Sequence, residues 1–463
     1  MGRTLTTLGE STVAEFSEGF RGEIVLPGHQ GYDAARIVWN GMIDRYPAVV
    51  ARCTGAADVI RSVRFAREQD LRVAVRSGGH SVGGFSTCDD GILIDLSPMR
   101  GVRVDPKRRT ARVHGGALLG ELDHEAQAFG LACPVGVVAH TGVAGLALGG
   151  GMGRLQRRYG FSVDNILSVD LVTADGRLAH VSGEEHPELF WGIRGAGPNF
   201  GVVTSFEFQL HPVGPAVTHG RLVFRVDRAH DVAAAFREVA SAAPEELFLS
   251  MGFGVAAEGD DLGPEVTGRP IVWLVVTHSG SVDDAERDLR PLRAIGPLRD
   301  LVEPRSYLSV QTANDEAMAW GKRFYMKGGF MASLAEDAVD VCVERAAEQP
   351  GDCSISLWAQ GGAIARVPED AMAFTGRGAA FWLGVEAFWD DPALDGAHIA
   401  WGRRTMDALT PFTIAGHYVN DVVESGDDIV RGIYGDAKYE RLVGLKREWD
   451  PENVFRLNQN VRP

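Results

Sequence analysis

The stretch Arg76-Ser77-Gly78-Gly79-His80-Ser81-Val82-Gly83-Gly84 sets a histidine inside a glycine-dense turn that directly follows the apolar run Leu71-Arg72-Val73-Ala74-Val75. Glycine has no Cβ to block an approaching ligand, so successive backbone N–H groups of such a turn can converge on a phosphate. The loop reads as an anion cradle with an imidazole built into it. A glycine-rich surface turn with an incidental histidine would carry the same letters, so the surroundings decide the reading.

Outward from this loop, residues 44 to 211 alternate short β-branched runs with helical patterns. Val49-Val50-Ala51, Val73-Ala74-Val75, Ile92 to Leu96 and Thr110 to Val113 read as strands, and Val59, Ile60, Val63 and Ala66 mark a helix over 56–69. This is an α+β region with short strands. A helix over 118–129 leads through Cys133 to a second glycine-dense run, Thr141-Gly142-Val143-Ala144-Gly145-Leu146-Ala147-Leu148-Gly149-Gly150-Gly151-Met152-Gly153. Mirroring the first loop, it offers N–H groups and flat backbone to another part of a large ligand. Asp175-Gly176 reads as a hairpin turn, Pro187 opens a helix, and Gly201-Val202-Val203 begins a strand. After Pro212 the strands lengthen and alternate, as in Gly220 to Phe224, Ile271 to Val276 and Ala379 to Trp389, with helices over 231–243 and 282–295 between them. That pattern predicts an antiparallel sheet backed by helices.

The 463 residues are too many for one core. We expect a first domain over 1–214 with its core from about 43, a second over 215–420, and a closing segment over 421–463. A formal net charge of -16 argues against nucleic acid or an anionic membrane surface as partner. Five dispersed cysteines form neither a disulfide framework nor a metal knuckle, and no apolar leader opens the chain, so a reducing, cytoplasmic setting and a monomer or homodimer are expected. The uncharged stretch 131–153 is too rich in glycine to serve as a membrane span.

The ordered motifs R-S-G-G-H-S, T-G-x-A-G-L-x-L-G-G-G-x-G, D-N-x-L at Asp164-Asn165, H-P-E-L-F-W-G-I-R-G-A-G-P-N-F-G-V-V-T, Y-V-N at Tyr418 to Asn420, and D-P-E-N-V-F-x-x-N-Q resemble the flavin-linked oxidases of the vanillyl-alcohol-oxidase type, in their berberine-bridge-enzyme-like and 6-hydroxynicotine-oxidase-like branch. The resemblance implies a PCMH-type FAD-binding domain of two α+β subdomains and a substrate domain. It places the FAD pyrophosphate at Ser77 to Ser81, the adenosine half near Gly201, Val202 and Val203, and a covalent bond from His80 to the flavin 8α-methyl. Arg76, Gly84, His140 and Gly136 join the cofactor set by their places in these motifs. Some relatives carry a second bond from a cysteine to flavin C6. Cys133 is the candidate here, although its segment Cys133-Pro134-Val135-Gly136-Val137-Val138-Ala139-His140 is one residue shorter than in those relatives and has Ala139 for a glycine. A small buried thiol is the other reading of Cys133. Val135 is placed near flavin C4a, where a small residue admits dioxygen.

The implied reaction moves a hydride from a small organic substrate, an alcohol, an amine or a C–H of a secondary metabolite, to flavin N5, and dioxygen reoxidises the flavin to give hydrogen peroxide. A dehydrogenase with another acceptor, or an oxygenase or oxidative cyclase, would share the motifs. Tyr418 is the first candidate for base or substrate-orienting group, with Asn420 holding flavin or substrate; Asp421 follows where the family often has another tyrosine. Glu386, the second candidate, shares a strand face with Trp382, Gly384 and Phe388. Such a carboxylate either works in a pocket or faces solvent on the open side of the sheet. Tyr325 is a further pocket candidate, with core packing as its alternative. The Trp and Phe content of 358–389 leans toward an aromatic substrate.

Overall fold

The computed structural model describes residues 8–258, 262–264, 266–424 and 426–463. Four short strands form the first sheet, in the order Glu23–Val25, Val49–Arg52, Ile92–Asp95, Val73–Arg76. The first pair is antiparallel and the others are parallel. Ile92–Asp95 is buried at every position because it lies between two parallel neighbours, which explains its unbroken apolar run. Helix Ala56–Glu68 covers the sheet with Val59, Val63 and Ala66, one face at helical spacing. A second sheet of five antiparallel strands follows, ordered Val102–Asp105, Thr110–His114, Gly201–Gln209, Ile166–Thr173, Leu178–Ser182. Its last hairpin turns at Asp175-Gly176, with Gly176 at φ +72° donating its N–H to Thr173.

One expectation changes here. The run 141–153 is not loop throughout: Val143–Leu148 is a helix that buries Val143, Ala144, Ala147 and Leu148. Their spacing of three and four residues packs one helical face into the core, and the glycines on either side bound the helix.

The third sheet is antiparallel and much larger, running Arg299–Asp300, Ala216–Arg225, Pro270–His278, Leu247–Val255, Asp352–Ala359, Phe381–Trp389, Arg323–Met331, with Glu303–Ser306 also paired to Ala216–Arg225. Helices Ala229–Ala242, Val282–Arg293, Glu336–Ala347 and Asp395–Leu409 lie against it and share its core through Phe236, Leu289, Val339 and Trp401. Its opposite face looks back toward the first two sheets. The closing helix Asp436–Trp449 packs on helix Pro187–Ala196 and returns the chain end to the first region. Among the described residues no helix is long and apolar enough to cross a membrane.

Candidate active site

A large cavity lies between the glycine-rich loops and the inner face of the third sheet. On one wall are Ser77, Gly78, Gly79, His80 and Ser81; Gly136, Thr141, Gly142, Gly145, Leu148 and Gly149 continue it, and Gly201, Val202 and Val203 close the far end. The two loops touch backbone to backbone: a Cβ on Gly78 would lie 2.2 Å from the Gly142 nitrogen. Only glycine permits that approach. The N–H groups from Gly78 to Gly83 find no acceptor among the described residues. Ser77 Oγ, Ser86 Oγ, Asn458 Oδ1 and Gln459 Oε1, all buried, also lack partners while their residues line the cavity. Buried polar atoms left unpaired in a protein call for a ligand or water. This wall therefore suits a long polar molecule.

His80 stacks on Trp39, ring centroids 4.7 Å apart at 16°, and its Nε2 lies 2.7 Å from His140 Nδ1. Burial, with His140 as a second cause, pushes the His80 pKa down to about 3. The imidazole is neutral, and its Nδ1 is the nitrogen left free by His140.

Tyr418 and Asn420 sit at the far side of helix Val143–Leu148. The Tyr418 hydroxyl oxygen accepts from the N–H of Gly151 at 3.1 Å and of Met152 at 3.3 Å, and from Asn420 Nδ2 at 2.9 Å. Burial pushes its pKa up to about 12. The hydroxyl oxygen is thus occupied by three donors, on a phenol that burial keeps in its neutral form. Asn420 also donates to Leu146 O at 3.1 Å.

Glu386 lies on the inner face of the third sheet, cross-strand from Met326 and Ser354, with Trp382 further along the same face. It does not face bulk solvent: the surface it retains opens onto the cavity. Burial raises its pKa to about 7, against a lowering hydrogen bond from Ser354. Beside it stands Asp421, 7% exposed and also on the cavity wall. Trp382 Nε1 donates to Asp421 Oδ2 at 2.7 Å. Burial holds the Asp421 carboxyl well above the usual carboxylate range, and the neighbouring Glu386 pushes it the same way. Trp358, Phe324 and Met326 complete this end.

Other predicted residues lie off the wall. Arg76 forks onto Asp95 at 3.2 and 2.7 Å and pins the start of the loop, and Gly84, at φ +74°, closes its turn. His140 stands behind His80. Gly150, Gly151 and Gly153 are packing glycines, pressed against Phe374, Ser162 and the carbonyl of Val135. Val135 itself is 2% exposed in the core. Asp164 forms an ion pair with Arg377 and accepts from Phe161 N; Asn165 donates to the carbonyls of Tyr159 and Phe161. Tyr325 points to the helix side of the sheet and accepts from Arg403 Nε at 3.3 Å. Cys133 is wholly buried in the core near Asp123, and burial pushes its thiol far up. The cavity wall in its segment is made by Gly136, Val137 and Val138, with Cys133 behind it in the core.

Residues 47–182 match the FAD binding domain family and residues 417–462 the berberine and berberine-like family. The chain is 33% identical to (R)-6-hydroxynicotine oxidase of Paenarthrobacter nicotinovorans, over 96% of this chain and 97% of that one. The chain belongs to the berberine-bridge-like FAD-linked oxidoreductases. An FAD-linked oxidoreductase of Dictyostelium discoideum is 30% identical over 97% of each chain. Among solved structures, 6-hydroxy-D-nicotine oxidase of Arthrobacter nicotinovorans superposes with a TM-score of 0.86 at 33% identity, over 96% of this chain and 98% of that one. The moss protein BBE-like 1 of Physcomitrella patens shares the fold, with a TM-score of 0.87 at 22% identity, over 97% of this chain and 99% of that one. This berberine-bridge-like chain is thus an FAD-linked oxidoreductase, and the unpaired polar groups of its cavity wall suit the cofactor.

Proposed function

We propose that this berberine-bridge-like chain is an FAD-dependent oxidase of a small organic substrate, with FAD along the glycine-lined wall and the substrate over the third sheet. When bound, FAD would supply a hydride acceptor that dioxygen can reoxidise, with hydrogen peroxide as the reduced product. The observation that carries the reading is the juxtaposition within one cavity of free loop N–H groups, a neutral His80 and the Glu386 carboxyl. On this reading the Gly78 to Gly83 N–H groups and Ser77 hold the pyrophosphate, and Asn458, Gln459 and Ser86 satisfy further polar atoms of the cofactor. His80 would hold the flavin through its Nδ1, with His140 occupying Nε2. Glu386 takes the substrate proton: a carboxyl whose pKa lies near 7 is a base matched to neutral pH. Tyr418 orients the substrate, fixed by its three donors.

Five free and buried cysteines suit a reducing compartment, and we infer a cytoplasmic setting. The test of the oxidase reading is anaerobic reduction by substrate followed by admission of air. Rapid reoxidation with stoichiometric peroxide is expected. Slow reoxidation would assign a dehydrogenase, and labelled oxygen in the product an oxygenase.

A further inference from the structure

We propose that Asp421 makes the cavity selective for substrates carrying a positively charged nitrogen, received between the Asp421 and Glu386 carboxyls and against the neighbouring aromatic rings. The inference rests on the reading that the substrate lies over the third sheet beside Glu386.

Two carboxyl groups face one cavity whose wall, among the described residues, contains no lysine or arginine. Buried carboxylates are normally paired with a cation or several donors. Here Asp421 Oδ2 has the single donor Trp382 Nε1, Glu386 has Ser354, and no donor among the described residues reaches Asp421 Oδ1. That leaves a carboxyl on the cavity wall, on a residue 7% exposed, with one protein donor for its two oxygens. A bound ammonium supplies both the missing positive charge and the missing donors.

The surrounding groups suit the same guest. Trp358 and Trp382 meet edge to face, centroids 5.2 Å apart, and with Tyr418 and Phe324 they line the acid end of the cavity. Aromatic faces attract ammonium groups. Trp382 is fixed by its bond to Asp421, so the acid also sets the ring. Room for the arrangement comes from glycine: a Cβ on Gly384 would strike the Trp382 ring at 2.3 Å, and one on Gly328 would lie 2.6 Å from Asp421 Oδ2. An uncharged alcohol would meet the same rings but leave two adjacent acids to share a proton, with no reason for the second acid. Asp421 is a specificity-determining residue on this account, acting through substrate binding, whereas Glu386 acts on the proton.

The test uses the holoenzyme and two probes of the same shape, protonated 2-phenylpropan-2-amine, which has N–H donors but no oxidisable α-C–H, and its uncharged carbon isostere tert-butylbenzene, with binding followed by the change in flavin absorbance. The wild type is expected to bind the cation at least about tenfold more tightly, as a desolvated charge contact demands. Asp421→Asn retains an oxygen for Trp382 Nε1; it is expected to bring the two affinities together by weakening the cation alone. Equal affinities in the wild type overturn the proposal without any variant, and an unchanged ratio in Asp421→Asn overturns it as well. Glu386→Gln separates the two readings. Normal turnover in that variant sinks the assignment of Glu386 as base, while the cation preference set by Asp421 would still stand or fall on the probe titration.

Discussion

At the residue scale, His80 and Glu386 are both set by burial, in opposite chemical senses. Desolvation removes charge from each: the imidazole stays unprotonated and the carboxyl holds its proton up to about pH 7. His80→Ala is expected to release its flavin on denaturation, whereas the wild type retains it, as read by flavin fluorescence of the denatured chain. Cys133→Ala should retain it too, because Cys133 is in the core and not on the wall. If Glu386 is the base, kcat/KM rises with pH through about 7 as the carboxylate forms, and Glu386→Gln loses that limb together with roughly 10²- to 10⁴-fold in rate. The stability sign runs the other way. A carboxyl raised above its unfolded value contributes stability below the ordinary carboxylate range and loses it as pH climbs through about 7. Melting temperatures at pH 5 and pH 8 should therefore fall more for the wild type than for Glu386→Gln over that interval.

At the scale of elements, the cavity is shaped by what glycine leaves out. The two loops approach so closely at Gly78 and Gly142 that an added methyl would overlap backbone, which cannot rotate aside. Gly78→Ala is expected to cost about 1–3 kcal/mol from overpacking and to lower the flavin content, checked by urea melts and by the ratio of flavin to protein absorbance. The Gly149 site behaves differently, since its Cβ would meet the Asn420 side chain at 2.1 Å. Gly149→Ala should displace Asn420 and leave the Tyr418 hydroxyl with two of its three donors, changing KM more than flavin content. These glycines were visible in the sequence as a pattern. Which of them face the cavity and which only pack was not, because glycine has no side chain whose periodicity could betray a direction. The helix Val143–Leu148 inside the second run was hidden for the same reason, its apolar face being short and flanked by glycines.

At the scale of the whole molecule, the closing segment ties the first region together. Lys446, wholly buried, donates to Asn199 O at 2.8 Å, Phe455 O at 3.0 Å and Asp450 Oδ2 at 2.7 Å, and both Asn199 and Phe455 line the cavity. Lys446→Met leaves the buried Asp450 carboxylate without its cation, with only the N–H groups of Val454 and Phe455 as donors. A loss of about 3–5 kcal/mol is expected, with flavin loss preceding global unfolding in a thermal scan that follows both signals. Across the other side, Gln311 from the second region donates to Gly136 O at 3.0 Å and to buried Asp123 at 3.1 Å, holding the cavity wall in place.

The local chemistry of the chain is enough to determine the strands, the main helices, the glycine-rich loops and the α+β and antiparallel layers, because each depends on spacing along the backbone. Alternation likewise put Glu386 and Trp382 on one strand face. Only the tertiary structure decided that this face looks into the cavity and not into solvent, that Asp421 stands beside Glu386, that Trp39 stacks on His80, and that Cys133, Asp164 and Asn165 serve the core. Those outcomes depend on contacts between segments tens to hundreds of residues apart, and burial by a distant segment leaves no periodicity in the sequence it covers.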